Sequence, residues 1–255
     1  MRWVWIGLIF LSMVSCGGSA TLFTDEVFRA SAPEITQAWA SLPFFYDARI
    51  KNLTQDTALR VLQEELKNAA PGFRALLGMN LTREERKNLI ETYPSTRLVF
   101  FVPEKNSDGY PTITVNEQEA WDAVTKAALA KSPGLTGFAL FPSDVSESQV
   151  LAFDQTWAAG GGRELRHFLG TRPDNWGAES GMVFQWMGPE GDELVQNLPP
   201  TVLVHGNPGL VRAPGAEGFH WRLRTDALPT FLWEAAKSSE KKAYFLPLET
   251  GFDDR

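Results

Sequence analysis

Beyond residue 20, short apolar runs alternate with amphipathic stretches. The runs predict strands at Ala20–Phe23, Phe44–Tyr46, Ala75–Met79, Leu98–Val102, Thr112–Val115, Gly137–Phe141, Leu165–Leu169, Met182–Met187, Val202–His205, His220–Leu223 and Tyr244–Leu246. Several are apolar at consecutive positions, as in Leu98-Val99-Phe100-Phe101-Val102. A strand covered on both faces in a parallel sheet reads this way. Helix signals lie between the runs. Thr82-Arg83-Glu84-Glu85 and Ser146-Glu147-Ser148-Gln149 fit a capping box, where two side chains three residues apart satisfy free backbone N–H groups. Asn116-Glu117-Gln118-Glu119 is a looser version, followed by Ala120, Trp121, Val124, Ala127 and Ala128 at helical spacing. Ala58, Leu59, Leu62 and Leu66 share that spacing, and Ala227 to Lys237 predicts a last helix. Strand–helix alternation predicts an α/β architecture with mainly parallel sheets. So many strands suit two Rossmann-like lobes better than one sheet. The expected division is a first lobe over 21–116 with a return from the C-terminal end, a second over 117–246, and a tail over 247–255.

The first residues differ from the rest. Arg2 is followed by the almost wholly apolar Trp3 to Leu11, then by small residues up to Ser19. This is the order of a secretory signal, here 1–15. The apolar run is shorter than the roughly 20 residues needed to span a bilayer. Val14-Ser15-Cys16-Gly17 resembles the lipobox of bacterial lipoproteins, with Met13 where leucine is usual. The resemblance implies cleavage before Cys16, acyl chains on its sulfur, anchorage in a bacterial membrane, and a short tether over 16–20. An ordinary cleaved signal with a chance cysteine is the alternative. Cys16 is the chain's one cysteine, so no disulfide can form within it.

Composition narrows the picture further. The formal net charge is -7, and no run of Lys and Arg stands out, which argues against a nucleic-acid footprint. No later apolar run is long enough to cross a membrane.

The order of elements resembles the type I periplasmic binding proteins, especially the basic membrane protein (nucleoside-binding) lipoproteins. Leu89-Ile90-Glu91-Thr92-Tyr93-Pro94 before Arg97-Leu98-Val99-Phe100-Phe101 is similar to their passage of helix, Tyr-Pro and strand. Thr136 to Leu140, then Val150 to Phe153 and Ala158-Ala159-Gly160, is similar to the opening of their second lobe. Met182 to Gln185 with Gly188 and Gly191, Val202 to Asn207, and Arg222 to Asp226 follow in the family's order. The resemblance implies two lobes joined by a hinge, a small ligand such as a nucleoside held between them, and an import transporter or sensor as partner. The family's Asp-x-Ser-Phe-Asn passage is not continued after Asp25, and Asn207 and Arg224 stand where the family has Asp and Lys.

Open α/β sheets bind ligands beyond the carboxyl ends of their strands. The strand-end candidates are Asp25, Asp47, Asn80, Glu104, Asp144, Arg172, His205, Asn207 and Arg224, with Trp176, Trp186 and Trp221, in loops or near strand ends, as indoles able to stack on a flat ligand or sugar. Trp39, Trp121 and Trp233 fall at helical positions and read as core. His167, His205 and His220 have no metal-ligand spacing, and neither a Gly-x-Ser-x-Gly elbow nor a phosphate loop occurs. The expectation is a non-catalytic, membrane-anchored solute-binding protein without a cofactor. A structural or interaction lipoprotein of the same fold, lacking a ligand site, is the alternative; a hydrolase using two carboxylates brought together in space stays open.

Overall fold

The computed structural model describes residues 19–54, 56–102, 109–131, 137–141, 147–169, 182–185, 202–205 and 217–252. They fall into two compact units, Met1–Val115 with Thr225–Pro247, and Asn116–Arg224 with Leu248–Arg255.

The described elements of the first unit are β1 (Ala20–Thr24), α1 (Glu26–Ser31), α2 (Pro33–Ala40), β2 (Ala48–Asn52), α3 (Ala58–Lys67), β3 (Arg74–Gly78), α4 (Arg83–Thr92), β4 (Arg97–Phe101) and β5 (Thr112–Thr114). The second unit holds α5 (Glu117–Lys131), β6 (Gly137–Phe141), α6 (Glu147–Ala159), β7 (Leu165–Leu169), β8 (Met182–Gln185), β9 (Val202–His205) and β10 (Glu217–Leu223). The chain then returns to the first unit with α7 (Leu228–Lys237) and β11 (Ala243–Phe245), and ends in the second with β12 (Leu248–Phe252).

In the first unit the strand order is β11-β5-β4-β3-β1-β2, parallel throughout. Period-two alternation splits the sheet into two rows. Leu22, Leu76 and Val99 are register partners, as are Phe23, Leu77 and Phe100. All six are buried, which explains the unbroken apolar runs. The Phe23 row packs with Leu62 and Leu66 of α3 and Leu89 of α4. α7 contacts β3 and β4, and α2 packs on α7, with Trp39 and Trp233 6.0 Å apart between ring centroids. Each side of the sheet thus carries helices. The capping box at Thr82 is present: Thr82 Oγ1 accepts from Glu85 N (3.2 Å) and Glu85 Oε2 from Thr82 N (2.7 Å).

In the second unit the order is β12-β10-β9-β8-β6-β7. Neighbours are parallel except β10 and β12, which are antiparallel. α5 packs on α6 and on β10 and β12. Trp157 of α6 lies so close to Gly137 and Gly162 that a Cβ there would fall 2.7 and 2.2 Å from its ring.

Three expectations need correction. Phe44–Tyr46 is not a strand but part of a turn, with Tyr46 N donating to Pro43 O (2.9 Å). The strand is the next segment, β2, whose Arg49 and Lys51 hid it from an apolar reading. The chain returns to the first unit over residues 225–247, so the second ends at 224 and not at 246: Leu228, Leu232 and Trp233 of α7 are buried in the first unit and β11 pairs with β5. The expected tail contains β12, paired from Leu248 to Phe252 with β10. Trp39, Trp121 and Trp233 are core residues, as their spacing suggests. The cap at Ser146 lies outside the described residues.

Leu77→Ala should lower stability by about 2–5 kcal/mol, the range for truncating a buried Leu. Phe44→Ala should change it by less than about 0.5 kcal/mol, as for an exposed site. Urea denaturation of both variants checks the pair, and a loss above about 2 kcal/mol at Phe44 contradicts the absence of a strand there.

Candidate functional site at the carboxyl edge of the first sheet

Parallel strands bring their carboxyl ends to one edge. In the first unit that edge carries Thr24 and Asp25 after β1, Asn52 at the end of β2, Gly78 to Asn80 after β3, and Phe101 at the end of β4. Asp25 is buried, and both its oxygens are engaged. Oδ1 accepts from Phe28 N (2.8 Å) and so caps α1; Oδ2 accepts from Asn80 N (2.7 Å) across the edge. Asp25 N also donates to Gly78 O (3.3 Å). This short acid therefore ties the β1–α1 turn to the β3–α4 loop. Its carboxylate serves the scaffold, where the sequence suggested a ligand contact.

Beside it, Thr24 Oγ1 donates to Asn52 Oδ1 (2.8 Å). Asn80 is exposed, its backbone fixed by Asp25 and its side chain turned to the surface. Arg86 steadies the same loop by donating to Leu81 O (2.6 Å) and to the Tyr110 hydroxyl (2.9 Å). The Phe28 ring lies over Gly78, where a Cβ would fall 2.4 Å from it, and stands 4.9 Å from the Phe101 ring. Both rings are partly exposed. The Thr24 hydroxyl is itself buried, so the edge joins an aromatic surface to the exposed amides of Asn52 and Asn80, a mixture that takes up a flat or sugar-like polar molecule. Arg29 of α1 has a buried Nε without a hydrogen-bond partner, a donor unusual enough to need explanation.

Phe28 and Phe101 were not legible as a pair in the sequence. Phe101 read as one more strand residue, and only the glycine at 78 hinted that something large approaches the end of β3. Asp47 is not brought to this edge. It precedes β2 and sits at the opposite, amino edge, where its carbonyl accepts from Ala20 N (2.9 Å) and its carboxylate lies 3.4 Å from Arg49. Its placement followed from the strand expected at 44–46.

In the second unit, Arg224 is exposed just after β10. His205 ends β9 and is the register partner of His220, which is buried. Trp221 is also buried, within β10 and not at a strand end. Cys16, Glu104, Asp144, Arg172, Trp176, Trp186 and Asn207 lie outside the described residues. Among the described residues no three His, Cys, Asp or Glu side chains are grouped to hold a metal. A cavity of about 380 Å³ lies at the amino edge of β4 and β5, lined by Tyr93, Ser95, Arg97, Tyr110 and Lys241 among others. There Arg97 Nη2 is taken by Glu240 O (2.7 Å).

Neither a protein family nor a curated protein is matched by the sequence. Solved structures are matched by the fold. A periplasmic ribose ABC transporter protein from Conexibacter woesei superposes with a TM-score of 0.64 at 12% identity, over 92% of this chain and 91% of that one. A LacI family transcriptional regulator from Weissella paramesenteroides with bound glucose gives 0.59 at 12%, over 92% and 97%. The Cra regulator from Pseudomonas putida in complex with fructose 1-phosphate gives 0.59 at 10%, over 93% and 99%.

The fold is that of the type I periplasmic binding proteins.

In the first unit's sheet, close packing at the carboxyl edge depends on Gly78. Gly78→Ala should destabilise by about 1–3 kcal/mol, the cost of an overpacked site. Phe28→Ala in the same chain should recover most of that loss in a double-mutant cycle. Equal losses with and without Phe28 would mean that the ring is not what the added methyl meets.

Proposed function

We propose that the chain is a lipid-anchored extracytoplasmic protein that binds a small polar molecule at the carboxyl edge of its parallel sheet and does not transform it. The observation that carries this reading is the first unit's edge, where the partly exposed Phe28 and Phe101 rings adjoin the exposed Asn80 and the Thr24–Asn52 pair. Structures of the same fold hold glucose, sucrose and fructose 1-phosphate, and another belongs to a ribose transporter. These support a sugar ahead of the nucleoside that the lipoprotein resemblance implies. Anchorage rests on the lipobox-like Val14-Ser15-Cys16-Gly17 alone, while a periplasmic protein of the same fold supports export. An import transporter or a sensor would take up the bound form.

One observation favours a second reading, an interaction lipoprotein with no ligand site. The Asp25 carboxylate is buried and already holds Phe28 N and Asn80 N, a scaffold role that needs no ligand.

A thermal-shift screen of the full chain against pentoses, hexoses, sugar phosphates and nucleosides separates the two. A ligand at a hundred times its dissociation constant should add about 2.7 kcal/mol. Asn80→Ala should reduce that gain by about 1 kcal/mol, one lost hydrogen bond, and leave the ligand-free stability unchanged. No shift from any member of the panel would favour the second reading. Mass spectrometry of the mature chain tests the anchor separately: the expected product begins at an acylated Cys16, and cleavage elsewhere contradicts it.

A further inference from the structure

The turn at 43–46 carries the most exposed large apolar residue among those described. Phe44 is 99% exposed and Phe45 60%. Single exposed apolar residues are ordinary, but two adjacent phenylalanines on a fixed turn are not. The turn is fixed. Ser41 N and Oγ both return to α2, the Tyr46 ring lies 4.6 Å from Trp233, and Trp39 Nε1 donates to Arg49 O (2.8 Å). Folding thus holds the two rings outward rather than leaving them free to collapse.

Their position gives them a partner. Asp47, at the end of this turn, accepts from Ala20 N (2.9 Å), and Ser19 O accepts from Arg74 N (3.3 Å). The chain therefore enters the fold on the amino edge of the first sheet, beside Phe44 and Phe45. Cys16 stands three residues before Ser19. Three residues reach at most about 10 Å. An acylated Cys16 would bring the amino edge against the lipid surface.

Charge on that edge agrees. The connecting segments 41–49, 67–74, 92–97 and 237–243 all lie there. Together they carry Arg49, Lys67, Arg74, Arg97, Lys237, Lys241 and Lys242 against Asp47 and Glu240, in a chain of net charge -7; Lys67, Lys237 and Lys241 are exposed, Arg49 pairs with Asp47 and Lys242 with Glu240, and Arg74 and Arg97 are half-buried. Folding gathers from separate segments a basic cluster that the linear sequence does not show. Basic residues near a membrane surface are attracted to anionic lipid, and aromatic rings settle at the headgroup level.

We propose that the amino edge of the first unit docks on an anionic bilayer, with Phe44 and Phe45 inserted at the interface. The inference rests on the anchored reading of Cys16 and extends it from a tether to an oriented surface. It leaves the carboxyl edge of the same sheet facing away from the lipid.

The full chain, purified with its acyl groups, tests this in vesicles of equimolar phosphatidylcholine and phosphatidylglycerol. Acylation occupies the one natural cysteine, so Phe44→Cys and Glu84→Cys each take a single fluorescent label, at the amino edge and at the exposed start of α4. A lipid-borne spin quencher should quench the label at 44 several-fold more than the label at 84. A label at Phe45→Cys should behave as the one at 44, which guards against a local effect of losing Phe44. Equal quenching at 44, 45 and 84 on an acylated chain overturns the docking and leaves the anchor standing. A Cys16 without acyl groups overturns both.

Discussion

The carboxylate of Asp25 is the point on which the described site depends. It takes one backbone N–H from the start of α1 and one from the β3–α4 loop, and so closes the carboxyl edge across two neighbouring strands. A helix start leaves N–H groups without partners, and a buried one must find an acceptor. Here a single side chain satisfies a helix start and a loop together. That places Phe28 over Gly78, sets its ring against Phe101, and leaves the Asn80 side chain at the surface. The functional surface is a by-product of a capping problem solved at one residue.

How much of this was legible depended on burial. Strands covered on both sides announced themselves by unbroken apolar runs, and β1, β3 and β4 read directly from Leu22-Phe23, Leu76-Leu77 and Val99-Phe100. The two strands that escaped, β2 and β12, both lie at sheet edges. An edge strand is paired on one side only and tolerates charge, which also protects it from pairing with other chains. β2 carries Arg49 and Lys51, and β12 carries Glu249 and Gly251. The opposite error came from Phe44-Phe45-Tyr46, where apolar residues face solvent for a reason other than the core. Of the candidate site, Asp25 and Asn80 follow β1 and β3, but the sequence could not show that one would hold the other. Asp47 followed the misplaced strand to the wrong edge.

The two edges of the first sheet divide the labour in this account. At the amino edge the chain enters beside Phe44, and basic residues from four segments gather. At the carboxyl edge lie partly exposed rings and exposed amides. A parallel sheet gives this polarity at no extra cost, because every strand points the same way and every return helix ends on the same side. Lys242 illustrates the local electrostatics. Hydrogen bonding and charge attraction from Glu240 raise its pKa at the amino edge.

The central claim is that the carboxyl edge of the first sheet receives a small polar ligand. Amide hydrogen exchange of the full chain, with and without saturating D-ribose, D-glucose and fructose 1-phosphate, tests it most directly. The account predicts slowed exchange in peptides spanning 24–31 and 78–82 with at least one of these sugars, and unchanged exchange in the amino-edge turn at 41–47. Slowing confined to the amino edge, or no change at 24–31 and 78–82 with any of them, would contradict it.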